Sequence, residues 1–144
     1  MAVNEIEVAA PPETVWDVLS DPLAYAEWVQ GTKRVRGADE GFPAPGTRLY
    51  HTVGAGPLTL SDSTIVVRSE PPRRLVLDAR LGPLGSARVD ITLHGRDGVT
   101  TVVLGERGNR GPGRLLWPAG DVVLRGRNRW SLERLKALVE RRAA

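Results

Sequence analysis

The 144-residue chain has no cysteine, so it can hold neither a disulfide framework nor a thiolate metal site nor a cysteine nucleophile. Two histidines, His51 and His94, are too few for a multi-histidine metal centre. No apolar run nears the ~20 residues that span a bilayer, and the N-terminus lacks the basic stretch and apolar core of a secretory leader. The serines have no nucleophile-elbow context, and the glycine pairs lack the strand-to-helix setting of a phosphate cradle. These absences lead us to expect a cytoplasmic chain with no transmembrane segment, no metal and no cofactor. Lysine is almost missing as well: eighteen of the twenty basic residues are arginine.

The charge that is present is unevenly placed. Residues 1–106 carry a net −4 and residues 107–144 a net +7, within a total of +3. Such a basic tail either touches an anionic partner or solvates the outer face of a terminal helix. No aromatic platform alternates with its arginines, so no nucleic-acid partner is expected. The length suits one domain, residues 1–144, large enough to bury a core and spare room for a cavity.

The opening, VNEIEVAAPPETVWDVLSDPLAYAEW, reads as a strand and two short helices. Asn4, Ile6 and Val8 alternate with Glu5 and Glu7. Pro11 and Pro12 end the strand, and proline suits a first helical turn because its missing N–H is not needed there. Asp21-Pro22 repeats the device, with Asp as cap and Pro opening a second helix that carries Tyr25 and Trp28.

Beyond that the period is two. Strands are predicted over Thr32–Arg36, Arg48–Val53, Leu58–Ser69, Arg74–Leu81, Ser86–His94 and Val99–Arg107. Gly- and Pro-rich turns separate them, with Asp97-Gly98 a hairpin signal. From Pro112 the period changes: Leu124, Asn128, Leu132, Leu135 and Val139 recur at the steps of a long amphipathic helix. It starts near Pro118, after an irregular lead-in over Gly111–Trp117. Sequential strands with short turns make an antiparallel meander, whose open face the long helix must cover. The fold class is therefore α+β.

In this order, with IEVAAPPETVWDVLSDPLAYAEW, GPLTLSDSTIVVRSEPPRRLVLDAR, TTVVLGE and RNRWSLERLKALVE as its carriers, the chain resembles the helix-grip fold of the START/SRPBCC superfamily, in its polyketide cyclase/dehydrase-like branch. The resemblance implies a curved antiparallel sheet of about six or seven strands gripping the terminal helix around a cavity. Inward strand faces would line it with Leu49, His51 and Val53, then Leu77, Val89 and Ile91, then Val102, Leu104 and Glu106. The helix would add Leu116, Val123 and Trp130. A mostly apolar concavity of this kind suits a hydrophobic small-molecule ligand. Superfamily members include cyclases, lipid carriers and hormone-binding proteins, so the fold leaves the activity open.

Two residues are candidates for chemistry. Glu106 follows Val102 and Leu104 on one strand face, which turns its carboxyl toward the cavity; burial would raise its pKa and suit it to proton transfer or to binding a ligand hydroxyl. Alternatively it pairs with Arg114 or Arg127 and fixes the terminal helix. His51, between Leu49 and Val53, is either a general base opposite that carboxylate or a satisfied wall residue. His94 faces outward beside a turn and takes no role. Asp62 shares the parity of Leu58 and Leu60, whereas Asp78 alternates away from Leu77 and Ala79; either can pair across strands with Arg68, Arg80 or Arg88. Tyr25, Trp28, Trp117 and Trp130 can stack on a flat ligand or pack the helices onto the sheet. The remaining expectation is docking of a partner through Arg125, Arg127 and Arg129 of the basic helix.

Overall fold

A computed structural model of the chain describes residues 1–30, 32–55, 57–111 and 117–144; for Ala55, Arg110 and residues 117–121 it describes the backbone alone. Strand β1 (Ala2–Val8) is followed by α1 (Pro12–Leu19), a 3-10 turn (Pro22–Ala24) and α2 (Tyr25–Trp28). Six further strands then run in sequence: β2 (Thr32–Ala38), β3 (Arg48–Ala55), β4 (Leu58–Glu70), β5 (Arg74–Arg80), β6 (Ser86–Arg96) and β7 (Val99–Arg110). Helix α3 (Trp117–Ala143) ends the fold. The helix-grip architecture is as the sequence predicts, with β2, β3, β4, β6 and β7 each longer at its C-terminal end and β5 one residue shorter.

All seven strands form one antiparallel sheet in the order β1-β7-β6-β5-β4-β3-β2. The first strand thus sits at one edge and the second at the other. The chain crosses between them through α1 and α2, so these short helices bridge the two edges of the sheet. Irregular register between Val66 and Arg68, within β2, and at Ser86/Ala87 bends the sheet toward α3. Asp97 and Gly98 both take positive φ, as the two-residue hairpin predicted at this point requires.

Local chemistry sets the helix starts. Helix α1 opens directly on Pro12, and Val15, Trp16, Val18 and Leu19 are its buried residues. Asp21 Oδ1 accepts from Leu23 N at 3.0 Å, capping the next turn. On α3 the predicted stripe is the buried one: Leu124, Asn128, Leu132, Leu135 and Val139 all face the sheet. Of these, Leu132, Leu135 and Val139 share one core cluster with Leu75, Ile91, Leu93 and Val102 from the strands and Val8, Val18 and Leu19 from the opening segment. Burying each such Leu or Ile side chain is worth about 1.5–3 kcal/mol, which holds α3 on the sheet. Among the described residues, no helix is long and apolar enough to cross a membrane.

Candidate functional site

The core is not filled throughout. A cavity of about 100 Å³ lies between the sheet and α3, toward the α2 side. The alternation of the strands builds its wall: Leu49, His51 and Val53 come from β3, and Thr64 from β4. Leu77, Val89 and Ile91 follow from β5 and β6, then Leu104 and Glu106 from β7. Tyr25 and Trp28 of α2 close one side, and Arg127, Asn128 and Ser131 of α3 form the roof.

Within this apolar wall the polar atoms are the informative part. Trp28 Nε1, His51 Nδ1 and Asn128 Nδ2 are buried with no hydrogen-bond partner among the described residues. A buried polar atom left dry in this way costs about 1–3 kcal/mol, so three around one cavity are a standing demand for polar atoms inside it. Other polar groups of the wall are engaged. Tyr25 OH donates to Leu19 O at 3.1 Å, and burial raises its pKa, so the phenol stays protonated. Ser131 Oγ accepts from Gln30 N at 2.9 Å, and Arg127 Nε donates to Gln30 O at 3.1 Å, so α3 is tied to the end of α2.

Glu106 is buried, and its Oε2 stands 3.6 Å from Arg127 Nη1. That separation is an ion-pair contact rather than a short hydrogen bond. Arg127 reaches in from a half-exposed position, as one of the two arginine pairings considered for Glu106; Arg114 lies outside the described residues. His51 is pushed below its usual pKa, chiefly by burial and further by Arg36, with Asp62 acting in the opposite direction. The imidazole is therefore neutral at pH 7 and can accept a proton. Asp62 sits directly across from His51 in the β3–β4 ladder. Its carboxylate accepts from Ser63 N and from Gly82 N, each at 2.8 Å, which pins the β5–β6 turn to the cavity rim.

The comparisons with known proteins agree with this geometry. The description "Polyketide cyclase / dehydrase and lipid transport" matches residues 2–140. The chain belongs to that family. No curated protein matches the sequence significantly. Solved structures similar to this member of the cyclase/dehydrase and lipid transport family include protein NE0264 from Nitrosomonas europaea, with a TM-score of 0.75 at 16% identity over 98% of this chain and 94% of that one. TTHA0849 from Thermus thermophilus is similar with a TM-score of 0.74 at 17% identity, over 99% of both chains. The di-domain ARO/CYC BexL from the BE-7585A biosynthetic pathway has a TM-score of 0.68 at 18% identity, over 96% of this chain and 49% of that one. At these identities the likeness shows the fold alone.

For this family member, three of the predicted lining positions need correction. Val102 shares the inward face but is fully buried in the core next to Leu93 and Ile6, past the end of the cavity. Val123 is 71% exposed and Trp130 56% exposed, both on the outer side of α3. Each precedes an inward residue, Leu124 and Ser131, by one position, and one position is a turn of about 100° around the helix. Leu116 lies outside the described residues, as does the Trp117 side chain. Asp78 faces away from the cavity and bonds Asn109 Nδ2 at 3.0 Å, with Arg88 Nε at 3.7 Å. Sequence reading missed Thr64, Asn128 and Ser131 as wall residues. Asn128 carried a signal, because it is the one amide on the otherwise apolar stripe of α3.

Proposed function

We propose that the protein is a single cytoplasmic domain that binds a hydrophobic small molecule, lipid- or polyketide-like, between sheet and α3. One observation carries the reading: the unpartnered Trp28 Nε1, His51 Nδ1 and Asn128 Nδ2 surround one apolar cavity beside the Glu106 carboxyl. A ligand oxygen satisfies Trp28 or Asn128 as acceptor, a ligand hydroxyl donates to Glu106, and the apolar wall takes the carbon skeleton. Mass spectrometry of an organic extract from freshly purified protein tests this. The expected result is a stoichiometric hydrophobic molecule carrying at least one oxygen. Protein that neither carries nor takes up any such compound sinks the reading.

A cyclase/dehydrase-like reaction is a second reading, favoured by the neutral imidazole of His51 in the same cavity as Glu106. Folding of the substrate by the cavity shape would supply proximity and orientation, and His51 or Glu106 would move one proton. Glu106→Gln or His51→Ala would then abolish turnover with fold and binding retained; unchanged rates in both variants dispose of it. Docking through the basic helix is supported by the exposed Val122, Val123 and Trp130 beside Arg125 and Arg129. An apolar ridge flanked by arginine fits an anionic bilayer surface. It predicts co-sedimentation with phosphatidylserine vesicles that is lost on Arg125→Glu with Arg129→Glu, and its absence at low salt refutes it.

A further inference from the structure

The cavity shares part of its wall with a second space. Val53 and Leu81 line the cavity on one side and also line an open groove of about 430 Å³ on the other. That groove runs between the β3–β4 turn and the 3-10 turn Gly82–Leu84, with Leu58, Leu60, Pro83 and Leu84 along it. Leu58 is 80% exposed and Leu84 57% exposed, so two large apolar side chains stand uncovered along the groove.

Both walls of the groove are braced. Asp62 Oδ2 holds Gly82 N, and the Leu60 side chain lies so close to Gly82 that a Cβ there would come within 2.9 Å of it. At Gly54, φ is +140° and a Cβ would stand 2.1 Å from the Leu58 carbonyl oxygen, so the β3–β4 turn is drawn tight against its own backbone. The next stretch of chain buttresses the far side: Gly111 packs on Gly85 and on the carbonyl of Leu84, where a Cβ would be 2.6 Å away. The backbone is close-packed at Gly54, Gly82 and Gly111, and a preformed groove loses little entropy on filling.

Size divides the labour between the two spaces. The buried cavity, at about 100 Å³, is smaller than the ~150 Å³ apolar void known to take up benzene. One small ring is therefore the most it can hold, and a larger ligand needs further apolar surface, which the groove beyond Val53 and Leu81 offers. We propose that the ligand is an amphiphile whose oxygenated head, no larger than a single ring, sits among Trp28, Glu106 and Asn128 while an unbranched apolar tail passes Val53 and Leu81 onto Leu58 and Leu84. This rests on the ligand-binding reading above and adds to it a second subsite and a ligand class.

A series of 4-alkylphenols, from phenol to 4-hexylphenol, titrated calorimetrically into ligand-stripped protein, separates the two parts. Affinity is expected to rise about fourfold per methylene once the chain reaches the groove, the factor that burial of one CH₂ carries. The double variant Leu58→Ser with Leu84→Ser keeps the affinity for phenol and flattens the rise; both side chains are exposed, so the fold is retained. Trp28→Phe with Asn128→Leu weakens every member of the series by a similar factor. Phenol binding with no gain along the series overturns the tail subsite and leaves the head site standing. An equal gain in the Ser variant overturns the tail subsite too, because the chain then lies elsewhere. Failure of the whole series to bind overturns the ligand reading and the subsite together.

Discussion

Asn128→Leu is expected to make the ligand-free protein more stable and the site worse. Asn128 lies on the buried stripe of α3 between Leu124 and Leu132, is almost fully buried, and its amide nitrogen meets no acceptor among the described residues. Removing a buried unsatisfied donor returns about 1–3 kcal/mol. Replacing Asn by Leu inside a helix adds a few tenths more through intrinsic propensity. Overpacking would normally subtract from this, but the side chain faces a cavity with about 100 Å³ free, so the larger leucine has room. For a chain of this length a gain of that size raises Tm by roughly 3–10 °C. Thermal and urea unfolding of extracted, ligand-free protein measures it; extraction matters because any bound ligand stabilises the wild type by mass action. In parallel, affinity for an oxygenated probe such as phenol falls about two- to tenfold, the loss of one hydrogen bond. An Asn128→Leu protein that is less stable than wild type and binds as well would refute the reasoning, since Asn128 would then be a structural residue with a satisfied amide.

Other expectations are more local. Burial lowers the folded pKa of His51, so the unfolded chain binds this proton first: stability is unaffected above pH ~6.5 and falls as the pH drops below it toward the folded value. The slope is at most about 1.4 kcal/mol per pH unit, and His51→Gln should remove it from urea midpoints collected between about pH 7 and 5. Glu106→Gln should cost less than about 1 kcal/mol in urea unfolding, because the Arg127 contact is long and Arg127 keeps Gln30 O; a larger loss would make that pair the anchor of α3. Leu135→Ala, at a fully buried position, should cost about 2–5 kcal/mol. Val123→Ala should change stability by less than about 0.5 kcal/mol, and a larger loss would return Val123 to the interior.

The fold was legible because its signals are periodic and redundant. Strand alternation from Arg48 to Arg107 sets which side chains face inward, and each turn carries Gly, Pro or Asp-Gly at the place where the backbone needs it. An error of two or three residues at a strand end, as at β2 and β7, leaves that parity untouched. Helix faces are less forgiving. A helix position one residue off is displaced by about 100°, and Val123 and Trp130, expected inward from the family resemblance, lie off the Leu124–Leu135 stripe. Relative to that stripe their phase is outward, and the phase prevails because the stripe already supplies what the sheet can bury.

The site was legible only as a set of parities. Alternation puts Glu106 and His51 on the inner face, yet it carries no information on which inward residue meets packed core and which meets empty space. Val102 and Leu104 are two positions apart on one strand, and of these two it is Leu104 that borders the cavity. That difference arises from how α2 and α3 fill the cup, a property of three elements at once. The same holds for the unpaired atoms. A tryptophan, a histidine and an asparagine are each ordinary in the sequence, and what joins them is that no neighbour among the described residues completes their hydrogen bonds. A structural polar network tends to close on itself, because an open one costs stability with nothing in return. Here Tyr25, Ser131 and Arg127 are closed by backbone partners, while Trp28, His51 and Asn128 around the same space are left open. Buried polar atoms without a partner occur elsewhere too, at Asn4 Oδ1, Ser20 Oγ and Ser86 Oγ, so what sets Trp28, His51 and Asn128 apart is that all three belong to the wall of one cavity.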